Sequence, residues 1–200
     1  MKGSIIIILF FILGIACGHN QWIPFTFTES EISFYILCLL MFLVGISVGN
    51  DSKTIKGFKN INYRLLFLPI ATILGTILGC FFVSFLLSNR TAADCMAVGS
   101  GFGYYSLSSI FITEYKGAEL GTIALISNII REIIALLFAP LFAKYFGKLS
   151  PISVGGATTM DTTLPIITRY SGKEYVIVSI YHGFLVDLSV PFLVTLFCLL

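Results

Sequence analysis

The chain of 200 residues carries 12 basic and 10 acidic side chains, for a net charge of +2, and 57% of its residues are apolar. Only 11% are charged, and the mean hydropathy is +0.98, whereas about a quarter of the residues of a soluble domain are charged. A soluble globular domain is therefore excluded, and so small a net charge, spread over short loops, says nothing for a nucleic-acid partner.

The apolar residues come in long runs, at residues 5–17, 32–48, 65–87, 120–146 and 175–200. A helix needs about 20 apolar residues to cross the hydrocarbon core, so these runs predict about five full transmembrane helices. The first run, in MKGSIIIILFFILGIACG, has a competing reading as a signal peptide with a lipoprotein-like GIAC box. Gly14 fits such a box poorly, and an uncleaved first span is the better expectation. The five cysteines (17, 38, 80, 95 and 198) have neither metal-ligand nor disulfide spacing and read as small packing residues.

Basic residues accumulate in cytoplasmic loops. Lys2 thus places the N-terminus inside, the Lys- and Arg-free loop 19–31 faces out, and Lys53, Lys56, Lys59 and Arg64 mark an inner loop. Segment 91–112 decides the rest of the topology. If it re-enters from the outer face as a hairpin, only Arg90 and Lys116 lie outside, and Lys144, Lys148, Arg169 and Lys173 fall inside. Segment 151–168 then re-enters from the cytoplasmic side, and the last run leaves the C-terminus outside, in the periplasm.

Both segments have the composition of broken helices. GSGFGYYSLSS (99–109) holds three alternating glycines, each costing about 1 kcal/mol in a helix interior. GGATTMDTTLP (155–165) adds two glycines, four threonines, Asp161 and a proline. Unwound backbone at membrane depth must be buried in protein or line a wet cavity. Two such tips entering from opposite faces predict a midplane binding site, as in inverted-repeat secondary transporters. Close packing of helices on glycine is the alternative, but it leaves the clustered serines and threonines without a role.

Charges inside the bilayer narrow the chemistry. Arg131 and Glu132 sit mid-span in SNIIREIIALL, and ionisable residues at that depth are read first as functional. Neighbours on a helix point about 100° apart, so the two are no simple pair, while Glu132 shares a face with Asn128, four residues back. Glu132 is the first candidate for contacting a cation or carrying a proton, and Asp161 is the second; Arg131 is expected to neutralise another acid. Asp187 and His182 in the last span are each expected to be hydrogen-bonded to a neighbouring helix, and the candidate set leaves them out. That set comprises Ser100, Gly101, Gly103, Tyr104, Ser106, Asn128, Glu132, Thr158, Thr159 and Asp161 for substrate, with Glu132 and Asp161 for proton coupling. No metal site, cofactor or catalytic centre is expected. By themselves the acids indicate a cationic or zwitterionic substrate, or coupling to H+ or Na+. A carrier of organic anions, an intramembrane aspartyl enzyme and a channel remain as alternatives.

GSGFGYYSLSSIFITE, SNIIREIIALL, GGATTMDTTLPII and YHGFLVDLSVPFLV, in this order, resemble the LysO lysine exporter family of bacterial inner membranes. The resemblance covers essentially the whole chain as the C-terminal part of the family pattern. It implies an antiporter that exports L-lysine and toxic analogues such as thialysine in exchange for protons, with Glu132 as the family's intramembrane glutamate. Typical members are longer at the N-terminus, and MFLVGISVGNDS resembles a second copy of a motif in that absent part. The resemblance therefore implies a second small membrane subunit supplying three further spans, about 90 residues with their loops. A homo-oligomer is also compatible with the sequence.

Overall fold

The computed structural model describes residues 63–200, together with residue 13, residues 16–20 and residue 46. The chain divides into two compact units, Met1–Ser47 and Val48–Leu200. In the first, residues 16–19 are helical, and the Asn20 side-chain amide donates to the Ala16 carbonyl at 2.8 Å. The expected spans at 5–17 and 32–48, and the motif MFLVGISVGNDS, lie outside the described residues except at residues 13, 16, 17 and 46.

In the second unit every regular element among the described residues is helical. A 3-10 turn at Tyr63–Phe67 leads into α1, Leu68–Ser84, where Pro69 occupies the first turn and its missing N–H costs nothing. Next come α2, Ala92–Gly99, and α3, Tyr105–Lys116, separated by the glycine-rich stretch. The long helix α4, Ala118–Phe146, comes after them. Then α5, Ser150–Gly155, a 3-10 turn at Gly156–Met160 and α6, Leu164–Tyr170, form a second broken stretch. The chain closes with α7, Val176–Cys198. Among the described residues three helices are long and apolar enough to cross a membrane: Leu65–Ser84, Ala118–Phe146 and Lys173–Cys198, with mean hydropathies of 2.3, 1.9 and 1.7.

Ion pairs at the ends of the broken stretches fix their course. Thr91 and Asp94 cap α2 reciprocally, each side chain accepting the other's backbone N–H, which satisfies otherwise free amides at the helix start. Asp94 then meets Lys116 at the end of α3, 3.8 Å away, and Arg90 pairs with Glu119. Both ends of the segment therefore lie together, and α2 and α3 form one hairpin. Lys148 and Glu174, 3.6 Å apart, close a second hairpin over α5 and α6. The helix α4 runs from the mouth of the first hairpin to that of the second. Helix α7 runs back, bringing Cys198 within electrostatic reach of Asp94 and Lys116.

α4 buries Gly121, Ala124, Asn128, Ala135 and Ala139 and exposes Ile123, Ile126, Ile130, Ile133 and Leu137. Small residues on the inner face let neighbouring helices approach, which is how helices associate in lipid. α7 does the same at Gly183, where a Cβ would stand 2.7 Å from the Met160 amide nitrogen and 3.0 Å from the Ala157 carbonyl of the second hairpin.

Candidate functional site

The two hairpin tips touch. The Ala157 amide donates to the Phe102 carbonyl at 3.0 Å, with the Phe102 ring wholly buried and its backbone at φ 46°. Gly156 turns at φ 62°, and any Cβ there would collide with the Phe102 carbonyl. Only glycine fits that position.

At the first tip Asn128 acts as a latch from α4. Its Oδ1 accepts the Gly103 amide at 2.8 Å, and its Nδ2 donates to the Ala124 carbonyl at 2.9 Å and the Val98 carbonyl at 3.2 Å. Gly101 packs against the same side chain. The buried hydroxyls are turned back on the fold, Ser100 donating to the Met96 carbonyl at 2.7 Å and Ser108 to the Tyr104 carbonyl at 2.9 Å.

At the second tip His182 plays the corresponding part from α7. Thr158 donates to the Gly155 carbonyl and Thr159 to that of Gly156, at 2.9 and 2.8 Å. Thr163 donates back to the Thr158 carbonyl at 3.0 Å. With the Thr159 hydroxyl hydrogen so committed, its oxygen is left to accept from His182 Nδ1, 3.2 Å away. Neutral imidazole has one donor and one acceptor, so Nε2 accepts from Thr72 of α1 at 2.9 Å. His182 thus meets its neighbours as the sequence led one to expect.

Among the described residues Arg131 meets no acid. Its guanidinium donates to the Val154 carbonyl at 3.0 Å, the Ser153 carbonyl at 3.2 Å and Thr76 Oγ1 at 3.4 Å, and lies 5.7 Å from the centre of the Phe102 ring. The expected neutralisation of an acid is replaced by a cap on the carbonyl end of α5, where the helix dipole is negative. Asn128 and Glu132, on one face of α4, reach different hairpins: Asn128 bonds the first, while Glu132 lies within hydrogen-bonding reach of Thr162 in the second.

What stays open is a smaller group. Glu132, Tyr104, Tyr105 and Ser106 are half-buried, and Asp161 and Thr162 are exposed. Glu132 is within electrostatic reach of Asp161 and Tyr105, and Tyr104 within reach of Asp161 and Asp187. The expected set thus divides in two. Tyr104, Ser106, Glu132 and Asp161 face an accessible junction, while Ser100, Gly101, Gly103, Asn128, Thr158 and Thr159 build the walls. Tyr105 and Thr162 complete the junction, and adjacency to Tyr104 and Asp161 was the available signal for both; Asp187 is buried, within electrostatic reach of Tyr104 and Asp161.

A cavity of about 780 Å³ lies between α1, α2 and α4. It reaches from Arg90 and Asp94 at the mouth of the first hairpin to Asn128 and Arg131, and Glu132 does not line it. Among the described residues no group of three or more His, Cys, Asp or Glu side chains could hold a metal ion.

The family model described as "Lysine exporter LysO" matches residues 8–198. The chain is 34% identical over 186 residues to the lysine exporter LysO of Escherichia coli (strain K12), covering 93% of this chain but 61% of that protein's length. It is 31% identical over 191 residues to a protein of Haemophilus influenzae (strain ATCC 51907 / DSM 11121 / KW20 / Rd) provisionally named a lysine exporter, covering 93% of each. No solved structure matches the chain.

Proposed function

Because the chain belongs to the lysine exporter LysO family, we propose that it is a secondary-transporter subunit carrying L-lysine outward across a bacterial inner membrane. The single observation that carries this reading is that Glu132, midway along α4, and Asp161, at the end of the second hairpin's tip, lie within electrostatic reach of each other and are both open to access. Accessible carboxylates at that depth are expensive unless they serve a cation or a proton. The side-chain ammonium of lysine pairs with Glu132 and Asp161. The α-carboxylate sits at the start of α3, where no side chain caps the first-turn amides and the helix dipole is positive. Tyr104, Tyr105, Ser106 and Thr162 supply hydroxyls around it.

The two hairpin-plus-helix units, residues 91–146 and 148–198, form an inverted repeat with its site at the centre, the arrangement that alternating access uses. The N-terminus is cytoplasmic and the C-terminus periplasmic, and lysine or thialysine leaves in exchange for protons. Additional spans come from a second small subunit. An organic anion is a poorer fit, because Arg131 is already bound to carbonyls.

Glu132→Gln is expected to abolish thialysine resistance in cells while the protein stays in the membrane at its normal level. Full resistance in that variant would remove Glu132 from the mechanism.

A further inference from the structure

Asp187 is an acid for which lysine binding has no use. It lies midway along α7, is 3% exposed, and its Oδ1 has no hydrogen-bond partner among the described residues. The other polar side chains of the tips are bonded: Ser100, Ser108, Asn128, Thr158, Thr159, Thr163 and His182 all have partners. Ser171 Oγ shares the lack of a partner, but it is a neutral hydroxyl at the end of α6, toward the mouth of the second hairpin.

The groups around Asp187 do not neutralise it. Asp161 from the second hairpin and Tyr104 from the first lie within its electrostatic reach. From α4, Glu132 turns to Thr162 and Arg131 to the α5 carbonyls. From α2, Asp94 and Cys95 lie at the outer mouth near Lys116 and Cys198. From α6, Arg169 lies over the ring of its neighbour Tyr170, near the inner mouth. On α1, Thr72 is taken by His182, the nearest titratable group on α7 itself. A buried carboxylate with an empty lone pair and, among the described residues, only acids or phenols within its electrostatic reach is costly in the ionised form. Three carboxyl groups around one junction titrate as a unit, so the state of one depends on what the others bind.

We propose that Asp187 carries the proton exchanged for lysine, and that Asp161, facing both Asp187 and Glu132, makes the two occupancies mutually exclusive. This rests on the lysine-export reading above. With the site open outward, lysine leaves Glu132 and Asp161, and a proton from outside bonds to an Asp187 carboxylate oxygen. The carrier with Asp187 protonated then opens inward, the O–H bond breaks, and the proton passes to cytoplasmic water as a lysine cation takes its place. One proton moves in for each lysine cation moved out, and no net charge crosses.

The test uses everted membrane vesicles from the native host, with wild-type chain, Asp187→Asn or Asp187→Glu, and two assays of labelled lysine. One assay measures uptake driven by an imposed pH gradient; the other measures lysine–lysine exchange with no gradient. In Asp187→Asn, gradient-driven uptake falls to the level of vesicles lacking the chain, while exchange stays within about twofold of wild type. Asp187→Glu restores part of the driven uptake. Driven uptake retained in Asp187→Asn overturns the proposal. So does loss of exchange in both variants with protein still in the membrane, since that places Asp187 in the lysine site or the fold. Uptake that follows a sodium gradient through Asp187 overturns the proton as its ligand. Wild-type vesicles inactive in both assays would instead sink the lysine reading itself.

Discussion

Arg131 donates three hydrogen bonds from the middle of α4, two of them to the carbonyls of Ser153 and Val154 at the end of α5. Removing the guanidinium leaves those carbonyls with one donor fewer at membrane depth, and each unsatisfied group costs about 1–3 kcal/mol. Lysine cannot reproduce the planar fork that reaches both at once. Arg131→Met is therefore expected to lower the thermal midpoint of the purified protein clearly, with Arg131→Lys in between. Glu132→Gln, at the accessible face of the same helix, is expected to leave it unchanged. Equal midpoints for all three variants would show that the carbonyl cap is not structural. The sequence placed both charges mid-span and, from the 100° step between neighbours, on different faces. It could not name the partner of Arg131, because backbone carbonyls 22 and 23 residues away leave no mark in composition. The hydroxyls were ambiguous for a related reason. A serine that donates to its own helix and one that donates to a ligand are the same letter, and Ser100 and Ser108 donate to the carbonyls of Met96 and Tyr104.

The hairpins are elements whose breaks were legible and whose contacts were not. Clustered glycines stopped the helix at Gly99 and Gly155, and the long apolar runs delimited α1, α4 and α7. The tip contact between Ala157 and Phe102, and the latches from Asn128 and His182, join residues 20 or more positions apart and depend on how the helices pack. The mouths, by contrast, are pinned by ion pairs of modest strength at exposed sites, and their geometry makes the topology testable. Single cysteines are placed at Glu114 and at Lys148 in a chain whose five native cysteines are replaced by serine or alanine. A membrane-impermeant maleimide added to intact cells is expected to label the first and spare the second, with the pattern reversed in everted vesicles. Labelling of both from one side would mean that α4 does not cross, and the opposed-hairpin topology would fall.

Over the whole molecule, the accessible acids pose a problem that the described residues do not solve. Asp161 is exposed and Glu132 half-exposed at the middle of a span, where insertion of a carboxylate against lipid costs about 2.5–3.5 kcal/mol. Further polypeptide must close that side of the junction if water and lysine, rather than acyl chains, are to meet the carboxylates. The chain spans 61% of the length of the Escherichia coli relative and 93% of the Haemophilus influenzae one. In the two-subunit carrier proposed above, the second small membrane protein would wall the site and turn an open notch into a pocket that can be occluded on either side. Expressed alone in a lysine-sensitive host, this chain is expected to give no thialysine resistance and to accumulate poorly. Co-expressed with that subunit it should restore resistance, and an affinity tag on either protein should recover both from mild detergent. If Asp161 and Glu132 are the surfaces being covered, a bulky maleimide should label Asp161→Cys in the chain expressed alone and fail to label it in the pair. Lysine export by the isolated chain at the rate of the pair would show that the described fold closes its own site, and the two-subunit carrier would have to be abandoned.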